Sequence, residues 1–171
     1  MARSAILTDM SGLTDPLQPW NFDFSIPNVP GGGSSQALLM RCQSATIPGH
    51  QNEDGMLQLR GSEITYAGRP LWEHNFQPSY VELRDMESRD ALKNWTLFAR
   101  DNRTSGTAGA YMANYKTTGY IYLYDDVGRT IRTLILRGLW AQGIQDAQLD
   151  SGSSGPVVVG ASFRFDWHDE V

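Results

Sequence analysis

Three groups of side chains in this chain are of types that could do chemistry. His50, Glu53 and Asp54 stand close together, an imidazole and two carboxylates that could hold a metal ion or trade protons. His168 lies beside Asp166, Asp169 and Glu170, a grouping that could make the terminus respond to pH. Cys42 is the single thiol. Each is better explained without catalysis. Zinc normally needs three or four positioned ligands, and the other histidines are remote in sequence, so the first group reads as a solvated or interfacial loop. The second reads as an exposed acidic tail, and Cys42 as a small core residue. A lone cysteine allows neither an internal disulfide nor a thiolate cage. No Gly-x-Ser-x-Gly elbow is present, Ser151-Gly-Ser-Ser-Gly155 being a polar turn. Gly31-Gly32-Gly33 lacks the lysine and following helix of a phosphate-binding loop and reads as a flexible tip. Tyr120, Tyr122 and Tyr124 could stack bases, but Asp125 and Asp126 follow and would repel phosphate. A packing or subunit-interface role suits the tyrosines better. No catalytic, cofactor-binding or metal-binding residues are expected, and nothing reads as an enzyme.

Composition narrows the class further. At 171 residues one domain spanning 1–171 is expected, and 40% hydrophobic with 19% charged residues is too apolar for a disordered chain. A net charge of −5 argues against tight nucleic-acid binding, which needs a basic face. Only Lys93 and Lys116 are lysines; the remaining bases are arginines, suited to bidentate pairing with carboxylates across protein contacts. The start of the chain lacks a basic segment followed by an apolar run, and no stretch reaches the ~20 apolar residues of a membrane span, so the chain is expected to be soluble, without a membrane anchor, and to stay where it is made. On that expectation the acceptor patterns at Asn94-Trp-Thr and Asn102-Arg-Thr carry no meaning.

The elements that must position these residues are mostly strands. Trp20 to Ile26 alternates apolar and polar residues, and after Pro27, Pro30 and the glycines a second run, Ala37 to Cys42, suggests the other half of a hairpin. Ala45 to Gly55 is polar and without period, which predicts an exposed loop. Short strands are expected at 56–60, 63–67, 71–76 and 80–84, punctuated by Gly61, Gly68-Arg-Pro70 and Gln77-Pro-Ser79. One helix is expected from about Ser88 to Asp101, with Ser88 as N-cap, a stripe of Leu92, Trp95 and Phe98, and Arg100 and Arg103 near its end. The stretch 102–118 could be loop or a weak strand near Tyr111 to Tyr115. Tyr120 to Tyr124, a turn at Asp125 to Gly128, and Thr130 to Arg137 should form paired strands, and Val157 to Trp167 a last one. This is an antiparallel β-sandwich or barrel-like domain with one flanking helix and no internal repeat.

The carboxyl third carries a resemblance. A strand ending in Arg137-Gly138-Leu139-Trp140, a connector, Gln148-Leu149-Asp150, a turn, and an aromatic strand closing Phe165-Asp-Trp167 together resemble the major tail tube proteins of contractile-tailed bacteriophages. Cys42-Gln-Ser-Ala-Thr-Ile-Pro-Gly49 is similar to that family's junction into a long loop, and Asp90-Ala-Leu-Lys-Asn-Trp95 to its single helix. The resemblance implies hexameric rings that stack into the hollow inner tube of a contractile tail. Such a tube is driven through the host envelope on sheath contraction and conducts DNA. Implied partners are further copies of the chain, the sheath protein, the tape measure protein and DNA in a bore that does not hold it, and baseplate and terminator proteins at the ends. The place implied is the virion tail, assembled in the host cytoplasm. A type VI secretion tube protein, a tail terminator, a tube initiator and a monomeric ligand-binding β-sandwich are the alternatives. The loop residues Pro48, Gly49, His50, Glu53, Asp54 and Arg69, with the extended first ~19 residues, are expected at contacts between rings or subunits, because long patternless segments are often ordered by a neighbour. Trp140 is expected to anchor the core beneath the connector.

Overall fold

Alternation in the carboxyl half builds the centre of the molecule. Strand β7 (Thr117–Tyr124) pairs antiparallel with the long β8 (Thr130–Ile144) across the Asp125 to Gly128 turn, as the pattern predicts. On β7, Ile121 points inward and is buried while Tyr120, Tyr122 and Tyr124 stack on the opposite face at ring separations of 6.1 and 6.4 Å. The computed structural model describes residues 16–101, 109–152 and 154–171. The expected contact segment before Pro16, Asn102, Arg103 and Ser153 lie outside the described residues.

The sheet continues from this pair in the order β1 (Phe22–Ser25), β7, β8, β9 (Val158–Arg164), β6 (Ser79–Val81), β2 (Cys42–Ser44). Strand β10 (Trp167–Glu170) adds to β8, and β5 (Asn75–Phe76) to β9. The sheet curls into an antiparallel half-barrel in a chain that is 45% strand and 16% helix, the mainly β, barrel-like class expected. Its inner face closes over helix α2 (Glu87–Ala99). Phe24, Phe76, Trp95 and Phe163 are fully buried there. Phe24 meets Phe76 edge-on at 4.8 Å, Trp95 meets Phe163 at 5.5 Å, and the Trp95 indole donates to the Tyr115 carbonyl at 2.8 Å. The buried indole N–H is thus satisfied, as such groups must be.

Several expectations are corrected. The run Ala37 to Cys42 is not a hairpin strand: α1 (Ser35–Met40) is helical, with Ser34 Oγ accepting from the Ala37 N–H at 3.2 Å. A short apolar run does not reveal its period, and the serine cap decides it. The glycines before it are not a loose tip either. A Cβ on Gly33 would stand 2.7 Å from that of Ala91, so the bare backbone is what lets this segment lie against α2. Ser88 is not the N-cap of α2. It is buried inside the first turn, while Met86 takes the cap position at φ 52° and Asp85 Oδ1 accepts from the Glu87 N–H at 3.3 Å. Phe98 leaves the expected stripe at 41% exposure, and Ala91 and Ala99 complete it beside Leu92 and Trp95. Residues Met112–Tyr115 form a short helix, α3.

The strand expected to end at Arg137 runs on to Ile144, and the last strand breaks at Asp166 into β9 and β10. The break changes which face is inward. Phe163 and Phe165 are buried, Trp167 is 49% exposed, and His168, expected on an exposed tail, is buried against Leu136 of β8.

Candidate functional site

Of the residues expected in a contact loop, His50, Glu53, Asp54 and Arg69 lie in a β-ribbon instead, while Pro48 and Gly49 stay in the loop before it. Strands β3 (His50–Leu59) and β4 (Ser62–Trp72) pair only with each other and stand away from the half-barrel as an arm. The Ala45 to Gly55 loop therefore shrinks to residues 45–49, and the four expected short strands give way to two long ones and two short ones. Polar residues hid the strand because both faces of a two-stranded ribbon meet water. The tip, Arg60-Gly61, has φ values of 50° and 81°, the two positive angles of a tight turn whose twist suits a hairpin.

Gly68-Arg69-Pro70 is not a turn. Asn52 pairs with Pro70 and Asp54 with Ala67, so β4 spends three steps where β3 takes two, and its extra residue makes a bulge opposite Glu53. A Cβ on Gly68 would stand 2.8 Å from the Glu53 carbonyl oxygen, so the bulge requires glycine. Pro70 is tolerated because each strand of a ribbon has an unpaired side. Arg69 Nε donates to Glu53 Oε2 at 2.7 Å across the arm.

Paired residues share a face, and faces alternate along a strand. One face of the arm therefore carries Gly55 opposite Tyr66, Leu57 opposite Ile64, and Leu59, with Leu71 brought onto it by the bulge. These five large side chains are 42–58% exposed. Tyr66 folds its ring over Gly55, in the space a Cβ would need. The result is an exposed apolar patch at Leu57, Leu59, Ile64 and Tyr66, with Gln51 and Glu53 on the same face between it and Leu71, the kind of patch that marks an interaction surface. Sequence reading missed it because its short-strand boundaries cut the alternation at each punctuating residue.

At the root of the arm the fold brings together residues that the sequence keeps far apart. The His50 and His168 rings lie 4.4 Å apart between centroids, tilted by 35°. Glu170 shares the face of His168 two residues along β10, and one ligand atom from each of His50, His168 and Glu170 lies within 4.8 Å of the others. Arg132 Nη1 donates to Glu170 Oε2 at 2.9 Å. Burial, and then the neighbouring His50, lower the His168 pKa below the ordinary imidazole value, with Glu170 and Asp169 opposing. The sequence grouping of His50 with Glu53 and Asp54 is not what the fold assembles. The signal was His168-x-Glu170, a spacing that puts both side chains on one face once the terminus is recognised as a strand.

The family-motif residues divide. Gly138 adopts φ +67°, and a side chain there would run into the Asp166 carboxylate, which Lys116 Nζ holds at 2.7 Å. Leu139 is fully buried, whereas Trp140 is half-buried at the core margin, edge-on to Tyr115 at 5.9 Å. β8 runs straight through Trp140, which packs against the core from its margin. Leu149 is 82% exposed, and Asp150 Oδ1 accepts from the Gly152 N–H at 2.9 Å in a turn. Cys42 is half-buried and packs against the core from its margin, and burial pushes its thiol pKa up to about 12. Among the described residues no helix is long and apolar enough to cross a membrane.

No family model matches the sequence, and comparison with curated proteins finds no match. Solved structures do match. A chain of the anti-feeding prophage cap, the tube-terminating cap, is similar with a TM-score of 0.66 at 12% identity, covering 94% of this chain and 93% of that one. A chain of an extracellular contractile injection system, PVC, in its sheath-tube complex in the extended state, gives 0.65 at 12% identity and covers 96% of both. A chain of the sheath/tube terminator of the same system gives 0.66 at 13% identity, covering 94% and 99%. The chain has a contractile-tail tube fold. The match spans nearly the whole of this chain and of each of those chains.

Proposed function

We propose that this chain is a structural subunit of the inner tube of a contractile tail, forming hexameric rings that stack into a hollow conduit. The observation that carries this reading is the tube fold together with an arm whose apolar patch is exposed among the described residues. Seated on a neighbouring copy, Leu57, Leu59, Ile64, Tyr66 and Leu71 would lose their water and link one ring to the next. Among the described residues the main strand order ends in β1 and β2, each paired on one side. Lateral joining of such edges around a ring would remove strands that otherwise invite uncontrolled pairing.

The role is mechanical. The tube would be pushed through the host envelope as the sheath contracts, with DNA passing down the bore and the tape measure protein occupying it beforehand. Sheath, baseplate and terminator proteins would be its partners, and the virion tail its place. One face of the β1, β7, β8, β10 sheet covers the core, which leaves the other to line a bore. That open face carries Asp23, the tyrosine ladder and Asp169, and its Arg137 is neutralised by Asp169 at 2.7 Å. Such a surface offers phosphate no basic well, as a conduit for DNA requires.

A terminator is the second reading, favoured by the two terminator chains among the similar structures. Electron microscopy of the purified full chain separates the two. Long hollow tubes are expected for a tube subunit and single rings for a terminator, whereas monodisperse monomers at every concentration would contradict both.

A further inference from the structure

We propose that His50, His168 and Glu170 form a binding site for a divalent transition-metal ion of the zinc type, bridging the root of the arm to the last strand. Two imidazoles and one carboxylate are a donor set that such ions prefer, and three protein ligands leave one position open for water or a neighbour's side chain.

The placement supports this in three ways. His168 and Glu170 sit at alternate positions on a strand hydrogen-bonded to β8 along its length, and the ladder extends to reciprocal bonds between Val171 and Thr133 at 2.8 and 2.9 Å. Two of the three ligands are thus held on a rigid support. The third, His50, comes from the first residue of the arm and is exposed, so it can adjust. Arg132, donating to Glu170 Oε2, orients the carboxylate as an outer-shell partner would.

Distance is the test the geometry must pass. Ligand bonds of ~2.1 Å at tetrahedral angles place donor atoms ~3.4 Å apart. The atoms here lie within 4.8 Å, so closure needs a movement of little more than 1 Å, within reach of the exposed His50 and Glu170 side chains. Among the described residues this is the one group of three or more metal-ligating side chains that meets that proximity. A bound ion would fix the angle at which the arm leaves the half-barrel, because its ligands come from both.

The experiment is calorimetric titration of Zn²⁺ into the untagged, chelator-treated full chain, with Co²⁺ absorption as a second readout. One ion per chain with a micromolar or tighter Kd is expected, and Co²⁺ should show the visible bands of a low-coordinate nitrogen and oxygen site. His50→Ala and Glu170→Gln alter exposed side chains, and circular dichroism would confirm that each still folds. Each should weaken binding by at least the ~10–100-fold that loss of an outer-shell partner costs elsewhere. Glu53→Gln, beside His50 in sequence but outside the cluster, should leave binding unchanged. Absence of binding, or equal affinity in the His50 and Glu170 variants, would overturn the site. The readout is independent of ring or tube formation, so it stands or falls separately from the assembly proposal.

Discussion

The half-barrel and the arm are both antiparallel β-structure with alternating side chains, yet they differ in what lies on either side of them. In β9, Val159, Ala161 and Phe163 are buried at every second position. In β3 no residue is buried, although Leu57 and Leu59 alternate in the same way. An isolated two-stranded hairpin is marginal in water, because it has no core to offset the entropy of ordering it. The arm carries local devices that fix its shape regardless: the Arg60-Gly61 turn, the Gly68 bulge, the Tyr66 ring over Gly55, and the Arg69–Glu53 pair. Alternation therefore identifies a strand that has a dry side, and only the surroundings show whether that side is dry within one chain or awaits another.

The comparison breaks most visibly at the centre of the half-barrel. Trp95→Ala removes a fully buried side chain together with its hydrogen bond to Tyr115 and its contact with Phe163. A loss of ~3–5 kcal/mol is expected in denaturant unfolding, the range for large aromatic truncations in a packed interior. A loss below ~1 kcal/mol, typical of a surface position, would mean that α2 is not part of the core. A smaller effect is expected at Gly138→Ala, where a side chain must accept φ +67° and displace the Asp166 carboxylate from beside Lys116. Thermal unfolding should register ~1–3 kcal/mol, the cost of a strained left-handed residue. Unchanged stability would show that the turn between β9 and β10 yields freely.

Much of the half-barrel was legible because its signals are local. The tyrosines of β7 and the residues of β9 each declare a period of two, and α2 declares its stripe at Leu92 and Trp95. What stayed hidden depends on partners distant in sequence. Residues 45–55 look like a loop because a strand with two wet faces need not alternate, and Pro70 looks like a stop because the sequence does not show that it lies on a ribbon. The cluster at the arm's root was illegible for the same reason. His50 and His168 meet only because β10 returns along β8, a pairing set by the break at Asp166. The motif around Gly138 was visible as a pattern, but its cause, the approach of Asp166, is a tertiary fact.

The smallest effect on the chain's own stability should come from the arm, and it sharpens the comparison most. In the double variant Leu57→Glu, Ile64→Lys, the two new side chains face each other across the ribbon, so their opposite charges keep the strands paired while the apolar face is interrupted at its middle. Both positions are about half exposed, so unfolding of the soluble chain should shift by no more than ~0.5 kcal/mol. Assembly should respond differently. If a neighbouring copy covers this face, docking would bury two charges in an apolar contact, and sedimentation with electron microscopy should show tubes lost or shortened to single rings. Tubes of normal length would place the contact between rings elsewhere. A markedly destabilised monomer would show that the arm folds as part of the half-barrel after all. Normal stability with lost stacking is the outcome that separates an element serving its own chain from one serving the next.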